Sequence, residues 1–275
     1  MEQLLEVGAE ESWRVINNYG FYLDICHFSI ALMGAKKKLG STAREKPLIS
    51  AGVSIFACFL SGFTLNFLCG LPILGSLQAT TTLYLVAVLW ILMNFIMPDI
   101  FDKIFNFPPV LIVLVAGKEL LRNKKIYGSI DKALKIYPES FHIVALLGLV
   151  GCAAGGALMH YLTALQNKSF TGNQKPALAT KFSVIFSIFH TCVAMKIPFL
   201  GWLPSRAEVC FIQFSVVAPI LIAEKFGLVM DPFQPFQNIL YKFFVSMGDE
   251  TDAVEKSQPT PVKTSSKKTK KSKKE

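Results

Sequence analysis

Apolar stretches long enough to cross a bilayer recur seven times along the chain, separated by short polar breaks. A helix needs about 20 such residues to span the hydrocarbon core, and only helices or closed barrels satisfy their backbone there. The stretches cover about 13–35, 48–68, 80–98, 108–128, 139–165, 177–195 and 204–226. The pattern therefore predicts an all-α, polytopic membrane protein with seven transmembrane helices within a domain over 13–228. Residues 1–12 precede it as a polar N-terminus. Residues 229–250 carry Phe233 and Phe236 beside prolines and a short apolar run at 239–244, which predicts an interfacial segment. Residues 251–275 are rich in Lys, Ser, Thr and Pro and are predicted to be disordered.

The connectors are short. Lys36-Lys37-Lys38, Arg44 and Lys46 follow the first span, Gly70, Pro72 and Gly75 the second, and a tight connector over 99–107 the third. Pro108-Pro109 suits the first turn of the fourth helix, because its missing N–H groups have no intrahelical partner there anyway. Pro138-Glu139 starts the fifth, and 166–176 is a polar loop.

The fourth stretch departs from the pattern. Its apolar run, Pro109 to Ala116, continues into Gly117-Lys118-Glu119-Leu120-Leu121-Arg122-Asn123-Lys124-Lys125-Ile126 with only one Gly between. If the helix continues, Lys118, Arg122 and Lys125 fall at i, i+4 and i+7 on one face. Cations held inside a membrane helix are costly and mark an ion path, a lipid headgroup site or a voltage sensor. Arg offers a planar fork that grips phosphate oxygens and Lys a mobile point charge; the alternative is an interfacial pair that snorkels to headgroups without a role. Glu119 points to another face and reads as an internal counter-charge.

Seven crossings put the termini on opposite sides. The five cations of the first connector, Lys168, Lys175 and the tail then share a side, which the positive-inside rule makes cytosolic, with the N-terminus lumenal. Lys118, Arg122, Lys124, Lys125, Lys132 and Lys135 fall toward the other side, so the reading favoured is that they are retained for function. Spans one to three and four to six form two triplets, each with small residues interrupting its middle helix: Ser61-Gly62 and Gly155-Gly156. Triplets with an odd number of crossings are inverted relative to each other. The expected architecture is thus two inverted three-helix repeats plus a seventh helix, with pore or gating candidates at Ser61, Gly62, Gly155 and Gly156. Close helix packing is the structural alternative for such small residues.

Composition narrows the classes. The 275 residues are 52% hydrophobic and 17% charged, too apolar for a soluble domain of this length. The net charge is +9, and residues 251–275 hold eight Lys against three acids, +5 of that total. That placement suits a solvated tail near anionic lipid and not nucleic-acid binding. The first eleven residues contain four Glu and no Lys or Arg, the reverse of a signal-peptide n-region, so the first span is expected to serve as its own insertion signal. Six Cys without a CxxC pair read as small core residues, and no His/Cys/Asp/Glu set has metal-ligand spacing. No nucleophile–base set points to an enzyme. Asp24 and His27 read as a pore or proton-relay pair or, more simply, as a polar packing contact. His160 and His190 read as packing residues. Ser54, Ser61, Thr64 and Asn66 are candidate pore-lining groups, although membrane Ser and Thr usually bond back to their own backbone.

The segment Gly117 to Ile126 resembles the Lys-Glu-Val-x-Arg-x-x-Lys-Ile signature of the trimeric intracellular cation channel family, with Leu120 in place of the family's Val. The seven spans, the Gly pair of the fifth helix and the basic tail extend that resemblance over essentially the whole chain. Ser61 stands where the second helix of the family has the first Gly of a pair. The resemblance implies a homotrimer of the endoplasmic or sarcoplasmic reticulum, each protomer with its own pore. That pore would conduct K⁺ and Na⁺ to balance charge when Ca²⁺ leaves the store. It further implies that Lys118 and Arg122 hold a phosphoinositide headgroup, phosphatidylinositol 4,5-bisphosphate, with Lys118 involved in gating. Lys271 and Lys273 match a dilysine retrieval signal, which faces the cytosol. The alternative is a secondary transporter built on the same inverted repeats, for which Asp24 is the plausible acidic coupling residue. A retinal protein would need a Lys within the seventh span, where Lys196 precedes it and Lys225 ends it.

Overall fold

The computed structural model describes residues 2–166, 176–197, 205–228 and 231–239. The chain divides into two compact units, Met1–Val229 and Met230–Glu275. The first is a bundle of helices: α1 (Glu2–Asn18), α2 (Gly20–Leu39), α3 (Thr42–Glu45), α4 (Pro47–Leu68), α5 (Thr80–Ile91), α6 (Pro98–Asn106), α7 (Pro108–Ile136), α8 (Phe141–Gln166), α9 (Leu178–Ala194) and α10 (Arg206–Lys225). In the second unit, residues 234–239 are helical. Most of the interfacial run expected at 239–244 lies outside the described residues, as do the tail from 251, Lys168, Lys175 and most of the 166–176 loop.

Among the described residues, three helices are long and apolar enough to cross a membrane: α4, the Phe141–Tyr161 part of α8, and α10. α5 and α6 form a further apolar pair, bent by 111° at their junction. The bend has a local cause. Pro98 cannot donate a backbone hydrogen bond and forces the residue before it out of helical geometry; Met97 sits at φ −137°, ψ 52°, after one π-helical turn over Leu92–Ile96. The expected tight connector over 99–107 is therefore a helix, α6. Its polar side is tied down by Lys36, whose Nζ lies 2.7 Å from Asp102 Oδ2 and 3.3 Å from the Pro98 carbonyl.

Two other elements differ from the expected spans. The stretch at 13–35 is split at Tyr19 (φ −109°, ψ 26°), where two Asn of low helix propensity end α1. The Lys124 ammonium bonds the Ile16 carbonyl at 3.2 Å, satisfying one of the acceptors a helix terminus leaves free. The N-terminal residues expected as a polar leader belong to α1, which buries Ala9 and Ile16 and leaves Glu6, Glu10 and Glu11 exposed. It lies against α10 and reaches α7 through Trp13, whose ring centroid is 5.0 Å from that of Tyr127. At the other departure, α7 runs straight through Gly117 and Gly128 to Ile136, eight residues beyond the expected end. No Pro or left-handed residue interrupts it.

The packing follows the two triplets: α2 lies on α7, α4 on α8, and α9 closes on α7 and α8. Each of the first two pairs crosses at a glycine. A Cβ on Gly117 would stand 2.6 Å from Cys26 Sγ, and one on Gly155 2.8 Å from Ser61 Oγ. The small residues thus act as contact points. Ser61-Gly62 and Gly155-Gly156, expected to interrupt their helices, lie inside α4 and α8 without a break. α10 opens on a capping box, with the Ser205 hydroxyl accepting from Glu208 N at 3.3 Å and the Glu208 carboxylate accepting from Ser205 N.

Candidate functional site

The continuity of α7 sets the geometry. Lys118 and Arg122 are one turn apart and look toward α9 and α8, while Lys125 lies two turns from Lys118, about 10 Å along the axis. Arg122 makes three contacts: Nη1 donates to the Ala179 carbonyl at 2.6 Å and to Ser183 Oγ at 3.2 Å, and Nη2 pairs with Glu119 Oε1 at 3.1 Å. Glu119 is 1% exposed and holds the position of internal counter-charge. Lys118 makes no hydrogen bond or ion pair among the described residues.

Two cavities, each of about 310 Å³, flank the crossing of α4 and α8. The first is lined by Lys38, Lys118, Arg122, Ser61, Gly155 and Gly156. The second is lined by Asp24, Lys124, Lys125 and Lys132, together with Gly62 and Ser129. Cys58 lines both. Between them two contacts draw the helices together. Lys125 Nζ lies 2.8 Å from His27 Nε2, with His27 facing the first cavity and Lys125 the second. The backbone N–H of Gly155 donates to Ser61 Oγ at 2.7 Å. An open space on either side of one waist, largely apolar but set with charged and hydroxyl groups, is an arrangement through which a hydrated ion moves once the waist yields.

The sequence-derived candidates distribute unevenly over this site. Lys118, Arg122, Ser61, Gly155 and Gly156 meet in one cavity and Gly62 lies in the other. Asp24 and His27, one turn apart on α2, fall on opposite sides of the waist. Of the other polar groups considered, Thr64 bonds back to the Leu60 carbonyl at 2.8 Å, and Asn66 holds the following loop through Pro72 O and Ser76 Oγ. Ser54 faces an apolar groove beside Trp90. His190 is buried and bonds Gln213 Oε1 at 3.2 Å, whereas His160, expected to pack, is exposed. Lys38 and Cys58 are site residues that sequence reasoning passes over. Lys38 reads as a loop charge within a basic triplet, and Cys58 carries no signal beyond its apolar surroundings. Lys125 was signalled by its i+7 spacing from Lys118.

The TRIC channel family model matches residues 37–231, more than half of the chain. The trimeric intracellular cation channel type 1B.1 of Caenorhabditis elegans is 28% identical over 274 residues, covering 92% of this chain and 85% of its own. Type B-B of Xenopus laevis is 24% identical over 271 residues, covering 94% and 90%. A solved C. elegans trimeric intracellular cation channel without Ca²⁺ superposes with a TM-score of 0.70 at 22% identity, covering 81% of this chain and 96% of that one. A structure of TRIC counter-ion channels in calcium release matches with a TM-score of 0.70 at 22% identity, covering 82% and 99%. The shared architecture is an all-α, multi-pass membrane fold.

Proposed function

Because this chain belongs to the TRIC channel family, we propose that it is a potassium-conducting monovalent cation channel of the endoplasmic or sarcoplasmic reticulum. On this reading it forms a homotrimer with one pore per protomer, passing K⁺ and Na⁺ as counter-ion current during calcium release. The seven spans keep the N-terminus lumenal and the C-terminus cytosolic. The observation that carries the reading is the pair of cavities that share Cys58. They place charged and polar groups on both sides of a single waist, within a fold whose relatives are named as cation channels.

Lys118 gives this route a reason to depend on lipid. An unpaired ammonium in the first cavity repels an entering cation; a polyphosphate headgroup bound there cancels that charge. Phosphatidylinositol 4,5-bisphosphate is the modulator proposed, held by Lys118 as a mobile cation and by Arg122 as a fork. Planar-bilayer recording of the purified protein in K⁺, Na⁺ and Ca²⁺ gradients, with and without the phosphoinositide, tests both parts. Reversal between the K⁺ and Na⁺ potentials and a lipid response that disappears in Lys118→Ala/Arg122→Ala are expected. A double variant with wild-type conductance, gating and lipid response would refute the lipid site. A secondary transporter, the other use of such repeats, would show no single-channel currents.

A further inference from the structure

Six cationic side chains line the two cavities: Lys38, Lys118 and Arg122 in one, Lys124, Lys125 and Lys132 in the other. Asp24 is the one carboxylate among the described lining residues. Several of the cations are already committed. Arg122 is paired with Glu119, Lys124 caps α1 at the Ile16 carbonyl, and Lys38 bonds the Met159 carbonyl at 2.9 Å. Asp24 has no ion pair within 4.0 Å among the described residues. Yet Lys125 shares its cavity and has a four-carbon stem that reorients readily. What occupies the Lys125 ammonium is His27 Nε2, at 2.8 Å and one helical turn from Asp24 on the same side of α2. An ammonium has donors only, so Nε2 accepts and the ring proton sits on Nδ1.

We propose that Asp24 is the cation-attracting group of the conduction path, and that His27 is a positioning residue that holds the Lys125 ammonium away from it. The inference rests on reading the two cavities as that path. A carboxylate paired with Lys125 would present no net charge to a permeating ion. Left unpaired in a confined polar space, it concentrates cations against the surrounding lysines. The His27–Lys125 contact therefore does more than join α2 to α7. It decides whether the path presents an unpaired carboxylate at Asp24.

The test is the reversal potential of single channels in planar bilayers under a KCl gradient, which reads the cation-to-anion permeability ratio. Asp24→Asn should lower that ratio by about fivefold, the concentration factor that one charge at about 4 Å produces in water. Asp24→Ser should do the same, so the result does not hang on the folding of one variant, and Asp24→Glu should retain selectivity. His27→Phe keeps the ring's bulk but removes the acceptor. Lys125 then turns to Asp24, and the ratio should fall as in Asp24→Asn. Lys125→Met, which removes the competing cation from the same cavity, should hold the ratio at or above that of the wild type, and His27→Phe/Lys125→Met should bring it back to at least the wild-type ratio. That rescue is not expected of a merely structural histidine.

Silver ion, a thiol-reactive monovalent cation, separates the two readings through Cys58. Block of the wild type that is lost in Cys58→Ser supports the path. If that block is present but Asp24→Asn keeps the wild-type ratio, or the double variant stays as unselective as His27→Phe, the role of Asp24 and His27 is overturned alone. If Cys58 is not blocked, the path reading falls and this inference with it.

Discussion

Removing Glu119 tests whether the buried charges of α7 form one electrostatic unit. In Glu119→Ala the Arg122 guanidinium loses its only carboxylate among the described residues, a contact of 3.1 Å between side chains that are 10% and 2% exposed. Breaking a buried pair from one side costs about 3–5 kcal/mol, because the remaining charge stays desolvated. Two features lower the figure here. Arg122 keeps its bonds to the Ala179 carbonyl and Ser183 Oγ, and it borders a cavity that water can enter. A loss of about 2–3 kcal/mol follows, or a fall of about 5–10 °C in Tm for a domain of this size. Thermal unfolding of the detergent-solubilised protein measures it. The companion variant Glu119→Met/Arg122→Met should recover most of the loss, since a well-packed apolar pair of similar volume is close to neutral, while abolishing any phosphoinositide response. A Tm for Glu119→Ala within a degree of wild type would refute the reasoning, as would a double variant no more stable than the single one.

The α4–α8 crossing should reject even one methyl group: in Gly155→Ala the new Cβ meets Ser61 Oγ at 2.8 Å and Ser61 N at 3.2 Å. A cost of about 1–3 kcal/mol is expected, with Ser61→Gly recovering only part of it because the backbone contact remains; denaturant titration of the three variants checks this. Lys36→Ala should barely change Tm, because Asp102 is half exposed and such pairs are worth about 1 kcal/mol or less. Hydrogen exchange over Pro98–Asn106 should nevertheless accelerate as α6 loses its tether. Lys38→Ala, which removes a third cation from the Lys118 cavity, should weaken capture of phosphoinositide vesicles by about fivefold, the effect of roughly 1 kcal/mol per basic residue, and by less at high salt.

The helices that apolar stretches announce are present, because a run of about 20 apolar residues has few ways to satisfy its backbone. The departures fall where that signal is silent. Nothing apolar marks the break at Tyr19, which depends on Asn17 and Asn18 and on a lysine 108 positions from the carbonyl it bonds. The bend at Met97 was legible in Pro98, but its sense was not: Pro at a first helical position starts a helix as readily as it ends one, and here it does both. Gly155 and Ser61 were visible as small residues, yet whether such residues break a helix or seat a neighbour is decided by what lies across from them. For the cavities, the i, i+4 spacing of Lys118 and Arg122 was enough to find the first. The second escaped, because Asp24, His27 and Lys125 become one unit only when α2 is laid on α7.

The two cations that spacing joins are also not equivalent. Arg122 carries donors in a fixed fork, and three of its contacts are filled by Ala179, Ser183 and Glu119. Lys118 carries a mobile charge with no partner among the described residues. On the proposed function, an arriving phosphate therefore meets Lys118 first at little cost, and gains the Nη1 edge of Arg122 by displacing the Ala179 and Ser183 bonds. Such an exchange draws α9 into the response, since both acceptors sit on its first two turns. Lys118→Ala should then abolish capture, whereas Ser183→Ala, by removing one competing acceptor, should strengthen it in vesicle binding. If both variants weaken capture alike, Arg122 is not held in reserve and the two cations act as the equal pair their spacing suggests.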